Sequence, residues 1–152
     1  MSLQRSQWLG LFARSQDKTL FDALCALALD PEQEFGSALW IRPAETGLMQ
    51  VMARADGVGA AFCFHEVCST RASIRLENGQ TGHALVLGHR IEHCKRVAWL
   101  DANMNDEQFR LGTGLKLVQR LEEAEQAVRA QRMSSAEQTR VEFFTLAREA
   151  GA

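Results

Sequence analysis

The sequence predicts an α+β fold: a central antiparallel sheet of about five strands, flanked by N-terminal and C-terminal helices. Three observations predict it. Apolar residues recur at helical spacing through residues 3–29 and again through 91–149. Between them, residues 35–88 are rich in short alternating runs bounded by turn residues. The elements come in blocks of helices, strands and helices, which suits a segregated α+β arrangement rather than an alternating α/β one. With 152 residues, no linker and no internal repeat, the chain is expected to form one domain over residues 1–152.

The first helix is predicted from the stripe Leu3, Trp8, Leu11 and Phe12. Ser15 can cap a second helix carrying Leu20, Phe21, Leu24, Leu27 and Ala28. Asp30-Pro31 should stop it, because proline disfavours helix in the residue before it. A strand is expected from Ala38 to Arg42, a turn over Pro43-Ala44-Glu45-Thr46-Gly47, and a strand from Leu48 to Arg54. Asp56-Gly57-Val58-Gly59 turns the chain into a third run, Ala60 to Cys68. From Arg71 to Glu77 the alternation is clean. Ala72, Ile74 and Leu76 share one face, and Arg71, Ser73, Arg75 and Glu77 the other, the period of a half-buried antiparallel strand. Asn78-Gly79 signals a hairpin with a type I′ turn, returning through Thr81 to Leu87. The C-terminal helices are expected from Ile91 to Met104, from Glu107 to Arg132, and after a capping box at Ser134-Ser135-Ala136-Glu137. The last of these carries Val141, Phe143, Phe144 and Leu146.

Composition narrows the function. The chain is 46% hydrophobic and 24% charged with a net charge of −2, values of an ordinary soluble protein. It lacks the clustered basic excess of a nucleic-acid footprint. No stretch reads as a signal peptide or a membrane span, so a cytoplasmic location is expected. The four cysteines, Cys25, Cys63, Cys68 and Cys94, form no Cys-x-x-Cys pair and read as buried free thiols. Cys63, His65 and Cys68 match no compact zinc pattern, so no metal site is expected. Gly57-Val58-Gly59 and Gly112-Thr113-Gly114 lack the continuation of a phosphate loop and are read as turns. No cofactor is expected to bind this chain alone.

Two groupings have chemical potential. Arg71 and Arg75 project from one face of a strand, with Arg42 and Arg54 on neighbouring strands. Guanidinium forks suit phosphate and carboxylate groups bidentately. A solvated face paired with Glu66 and Glu77, or a subunit contact, are the other readings of the same pattern. His93 and Asp101 share a helix eight residues apart, about 12 Å along its axis, too far for a direct dyad. The apolar residues near the two ends, Trp8, Leu11, Phe12, Phe143, Phe144 and Leu146, suit either a core or a subunit interface.

An ordered set of segments resembles the PhnG family. Arg42-Pro43-Ala44-Glu45-Thr46-Gly47-Leu48 is similar to its Arg-x-x-Glu-Thr-Gly-Leu segment, and Thr70-Arg71-Ala72-Ser73-Ile74-Arg75-Leu76 to its Thr-Arg-Ala-x-Val-Arg-Leu strand. Gly79, Gly82, Gly88, His93 and Asp101-Ala102 fall where that family places such residues. Arg140-Val141-Glu142-Phe143-Phe144-Thr145 resembles its Arg-Val-Asp-Phe-Phe-Thr signature. His89-Arg90 departs from the basic–acidic pair of the family pattern.

The resemblance implies a subunit of the carbon–phosphorus lyase core complex, with PhnH, PhnI and PhnJ, in a hetero-oligomer holding two copies of each core subunit. It implies action with PhnH, PhnI and the ATP-binding-cassette-like PhnL. That reaction attaches a phosphonate such as methylphosphonate to C1 of the ribose of ATP, with loss of adenine. ATP is then a substrate of the complex. The resemblance also implies that PhnJ, a radical enzyme using an iron–sulfur cluster and S-adenosylmethionine, later breaks the carbon–phosphorus bond. This chain has no Cys-x-x-x-Cys-x-x-Cys run, so it is not expected to be that subunit. If it lends residues to such a site, Arg71 and Arg75, then Arg42 and Arg54, are the candidate anion clamps. Glu45 and His93 are the candidate acid–base groups. A purely structural assembly module and a stand-alone ligand-binding α+β protein are the alternatives.

Overall fold

The computed structural model describes residues 4–138. Helices α1 (Arg5–Arg14), α2 (Asp17–Ala26) and α3 (Pro31–Glu34) precede strands β1 (Leu39–Arg54), β2 (Ala61–Arg75) and β3 (Thr81–Leu87). Then come α4 (Ile91–Met104) and α5 (Glu107–Phe109), which passes through a π-turn at Arg110–Gly114 into α6 (Leu115–Gln138). The fold is α+β, but among the described residues its antiparallel sheet has three strands in the order β1-β2-β3, not five.

The two missing strands were produced by breaks that do not exist. Pro43 and Glu45-Thr46-Gly47 do not turn the chain. Pairing runs from Trp40↔Ile74 through Arg42↔Ser73 to Glu45↔Arg71, with register shifts that absorb the proline. Proline is tolerated there because β1 is an edge strand and the ladder is bulged. Likewise β2 runs unbroken through Ser69-Thr70. The Thr70 hydroxyl is buried and satisfied: it donates to the Gly88 carbonyl at 2.6 Å and accepts from the Arg90 N–H at 3.0 Å.

The hairpin after β2 falls where Asn78-Gly79 indicates, with a different turn. Gly79 N–H donates to the Leu76 carbonyl at 2.9 Å, and Arg75 pairs with Thr81. Gly79 has φ 84°, whereas Ala28 is the one described non-glycine residue with positive φ. The loop is therefore a three-residue type I turn closed by a left-handed glycine, not a two-residue type I′ turn.

Helix boundaries shift in the same local way. Ser15 closes α1 rather than opening α2, its hydroxyl donating to the Phe12 carbonyl at 2.8 Å. α2 ends in a Schellman arrangement: Ala28 N–H bonds Cys25 O, Leu29 N–H bonds Leu24 O, and Ala28 sits at φ 54°. Asp30-Pro31 then starts α3 instead of stopping α2, the Asp30 carboxylate accepting from the Glu32 N–H. Gly112-Thr113-Gly114 lies in the π-turn, inside the helix. α6 runs straight through Ser134-Ser135, and Ser135 Oγ donates back to the Gln131 carbonyl at 3.0 Å. The last predicted helix, with Val141, Phe143, Phe144 and Leu146, lies outside the described residues.

One face of the sheet is buried under α4. Ala72, Ile74, Ala84 and Val86 join Cys94, Val97, Ala98 and Ala102 in the core. Trp8, Leu11 and Phe12 of α1, Leu20 and Leu24 of α2, and Leu117, Val118 and Leu121 of α6 belong to the same cluster. Each fully buried large apolar side chain contributes about 1.5–3 kcal/mol relative to exposure. That burial fixes which sheet face is left for solvent and partners.

Candidate functional site

The other face of the sheet carries the charged residues. Alternation along β2 leaves Arg71 and Arg75 exposed while Ala72 and Ile74 are buried. Cross-strand pairing gathers neighbours around them: Glu45 faces Arg71, and Arg42, Ser73 and His83 form one row across all three strands. Directly opposed residues on one sheet face have Cβ atoms about 5 Å apart. One Glu45 oxygen accepts from both Arg42 Nη1 at 3.1 Å and Arg71 Nε at 2.9 Å. Ser73 Oγ and His83 Nδ1 are 2.9 Å apart. Arg75 has no ion pair among the described residues. Three guanidinium groups against one carboxylate leave two positive charges in excess.

These exposed pairs stabilise the fold little, each by about 1 kcal/mol or less. Their consequence is positional. Arg54 is not part of the group. It lies nine residues beyond Glu45 along β1, roughly 30 Å at the usual strand rise, with Nη1 bonded to the Gly59 carbonyl at 2.9 Å.

His93 and Asp101 sit on α4 and are 1% and 0% exposed. His93 Nε2 meets the Phe12 carbonyl at 3.0 Å. Its Nδ1 has no hydrogen bond and lies 3.5 Å from an Asp17 oxygen. Arg90 completes the arrangement, donating to the Ala13 and Ser15 carbonyls and pairing with Asp17. Arg90 and His93 thus cap the C-terminal carbonyls of α1 and tie it to α4.

Burial lowers the His93 pKa from the usual histidine value, and the Arg90 cation lowers it further. The Asp17 carboxylate and the Phe12 carbonyl oppose this in part. A depressed folded-state pKa means the unfolded chain binds the proton first. The contribution is therefore full above the unfolded pKa near 6.5 and is lost as pH falls through the folded value. Stability measured by urea denaturation should fall as the pH drops below about 6.5. His93→Gln should flatten that part of the profile; an unchanged slope would contradict the account.

Asp101 is held by Arg5, whose Nε and Nη2 reach its two oxygens at 3.0 and 2.5 Å, and by the His83 backbone N–H at 2.9 Å. It joins α4 to α1 and to the edge of β3.

Ser73 and His83 were not singled out by the sequence reading. Ser73 lay in view between two arginines, but the partner of His83 depends on hairpin register. The cysteines are free thiols, but Cys25, Cys63 and Cys68 are exposed and Cys94 is buried, because only Cys94 lies on the face of α4 that packs on the sheet. His65 packs edge-on against Phe64 with ring centroids 5.0 Å apart. Among the described residues, no group of three or more His, Cys, Asp or Glu side chains is placed to hold a metal ion. A groove of about 750 Å³ between α1 and α6, lined in part by Arg14, Thr19, Leu121 and Arg129, contains none of the candidate residues.

A second exposed feature is an arm. β3 ends at the pair Ser69↔Leu87, while β1 and β2 continue together to Arg54↔Ala61. That two-stranded ribbon exposes Leu48, Met52, Phe62 and Phe64, and Val58 at its tip is 91% exposed. An isolated two-stranded ribbon is marginal in water, and clustered apolar exposure marks interaction surfaces.

The molecule is thus a small α+β protein with an arginine-bearing open sheet face and an apolar arm. The family model for "Phosphonate metabolism protein PhnG" matches residues 3–149. The "Alpha-D-ribose 1-methylphosphonate 5-triphosphate synthase subunit PhnG" of Rhizobium meliloti (strain 1021) is 32% identical over 148 residues, spanning 95% of this chain and 89% of that protein. The chain belongs to the PhnG family of phosphonate metabolism proteins. No helix among the described residues is long and apolar enough to cross a membrane.

Proposed function

We propose that this chain is a subunit of the carbon–phosphorus lyase core complex in the cytoplasm. It acts with PhnH, PhnI and PhnL, beside PhnJ, in an assembly with two copies of each core subunit. The reaction transfers the ribose triphosphate of ATP to a phosphonate such as methylphosphonate. A C1–O bond to the phosphonate forms as the C1–N bond to adenine breaks, and adenine leaves with a proton. The chain binds no cofactor of its own; ATP is a substrate of the complex.

The observation that carries this reading is the arm. Apolar side chains on both strands of an unsheltered ribbon need a covering surface, and a subunit partner supplies one. The Rhizobium meliloti relative, a subunit of an alpha-D-ribose 1-methylphosphonate 5-triphosphate synthase, supports the same reaction.

Positive charge develops at C1 beside two anionic groups as adenine departs, so the site needs anion clamps fixed in advance. Arg71, Arg75 and Arg42 are the residues this chain can lend, with Glu45 holding Arg42 and Arg71 in place. Arg54, at the arm's tip, belongs with docking. His93 belongs with the scaffold.

Coexpression with the partner subunits tests the assignment. The full chain should co-purify with them. A variant carrying Leu48→Ser, Phe62→Ser and Phe64→Ser should retain its far-UV circular dichroism and lose at least about tenfold in capture, as expected when interface anchors are removed. Undiminished capture would refute the arm as the docking element.

A purely structural module is the second reading. Leu85 and Leu87 are exposed on the same face as the arginines, so a partner could cover that face without any substrate there. Charge-removing variants that assemble but lose synthase activity would decide for the substrate role.

A further inference from the structure

We infer that Ser73 and His83 complete an anion site with Arg42, Arg71 and Arg75, built to take a phosphate-bearing polyanion on the open sheet face. The inference deepens the reading above, that this chain lends residues to the synthase's site.

The geometry is specific. Ser73 stands at the centre: Arg71 and Arg75 flank it along β2, Arg42 and His83 flank it across the sheet. At about 3.3 Å rise and 4.8 Å strand spacing, the five residues fall within roughly 13 Å by 10 Å. Their backbones are fixed by the two ladders and by the core beneath, where Ile74 is fully buried and Gly82 and Ala84 face α4. The Asp101 carboxylate pins the His83 N–H from the side, so this part of β3 is anchored although it is an edge.

Donor capacity is left over. A guanidinium has five N–H donors, and Glu45 takes one from Arg42 and one from Arg71. Using a single oxygen for both, Glu45 is a positioning residue: it holds the two forks beside each other without saturating either. Arg75 is uncommitted among the described residues. In the tautomer that lets Ser73 donate to His83 Nδ1, the imidazole carries its proton on Nε2 as a further donor. Carboxylate oxygens need fewer forks than this. Several guanidinium forks with a hydroxyl and an imidazole suit linked phosphate groups, whose many oxygens accept bidentately.

The test is titration of the full-length chain with inorganic tripolyphosphate, followed by amide NMR shifts and calorimetry at fixed ionic strength. Saturable binding is expected, with shifts centred on Ser73 and His83. His83→Gln and Arg75→Gln should each weaken it by about tenfold, the size of one lost charged hydrogen bond, and Arg129→Gln on α6 should not. Inorganic phosphate should bind more weakly than tripolyphosphate. No saturable binding, or equal binding by His83→Gln, Arg75→Gln and the parent chain, would overturn the site. Co-purification of the same variants with the partner subunits reads the subunit assignment separately. Normal capture beside unchanged tripolyphosphate affinity refutes the anion site and leaves the subunit reading standing. Normal capture beside lost affinity supports both.

Discussion

Gly82→Ala should cost about 3 kcal/mol or more, the upper end of the range for overpacking, and is expected to leave little folded protein. A Cβ built at Gly82 would lie under 3.0 Å from the Ala98 carbonyl oxygen, the Ala102 nitrogen and the Ala102 Cβ. Two of the three obstacles are backbone atoms of α4, which cannot rotate away as a side chain would. The missing side chain is what lets β3 lie directly on α4. Moving them apart would open the core between Ala84 or Val86 and Val97 or Ala98, and would pull the His83 N–H from Asp101. Urea denaturation checks this. Gly36→Ala is the control, because nothing lies within 4 Å of its added Cβ, and it should change stability by less than about 0.5 kcal/mol. A Gly82→Ala protein of parental stability would show that β3 and α4 are not in backbone contact.

Arg5→Leu is the second large effect. It leaves the fully buried Asp101 carboxylate without its counter-charge. Removing one partner of a buried pair costs about 3–5 kcal/mol. The low end applies, about 3 kcal/mol, because the Arg5 side chain is 49% exposed and water can enter on its side. Asp101→Asn should cost less: Arg5 can turn to solvent, and the amide oxygen can still accept from the His83 N–H. The double variant should recover part of the Arg5→Leu loss, giving a coupling energy of about 1–3 kcal/mol. Additive losses in chemical denaturation would contradict a direct pair.

These two sites show what the sequence could and could not convey. The apolar face of β2 was legible, since Ala72, Ile74 and Leu76 alternate with charged residues and α4 needs such a face. So was the placing of Arg71 beside Arg75. The length of β1 was not, because Pro43 and Gly47 carry turn chemistry that an edge strand with a bulge can absorb. The pairing of Ser73 with His83 was hidden by a single residue. A two-residue turn at Asn78-Gly79 would set Ile74 opposite His83 and send its side chain to the α4 face. The three-residue loop sets Ser73 opposite His83 instead. Hairpin register therefore decides whether the imidazole joins the arginines. The role of Asp101 was also hidden, since its partners Arg5 and His83 are 96 and 18 residues away in the chain. His93 was an acid–base candidate in the sequence; its burial against the Phe12 carbonyl follows from α1 packing on α4, which periodicity alone does not specify.

The claim that this chain is a working part of a phosphonate-activating synthase is tested most directly by reconstitution. Partner subunits PhnH, PhnI and PhnL are assembled with and without the full-length chain, and adenine release from ATP is followed in the presence of methylphosphonate. The account predicts adenine release only when the chain is present, sharply reduced by Arg71→Gln with Arg75→Gln in a complex that still assembles. Equal adenine release from the assembly lacking the chain would contradict it.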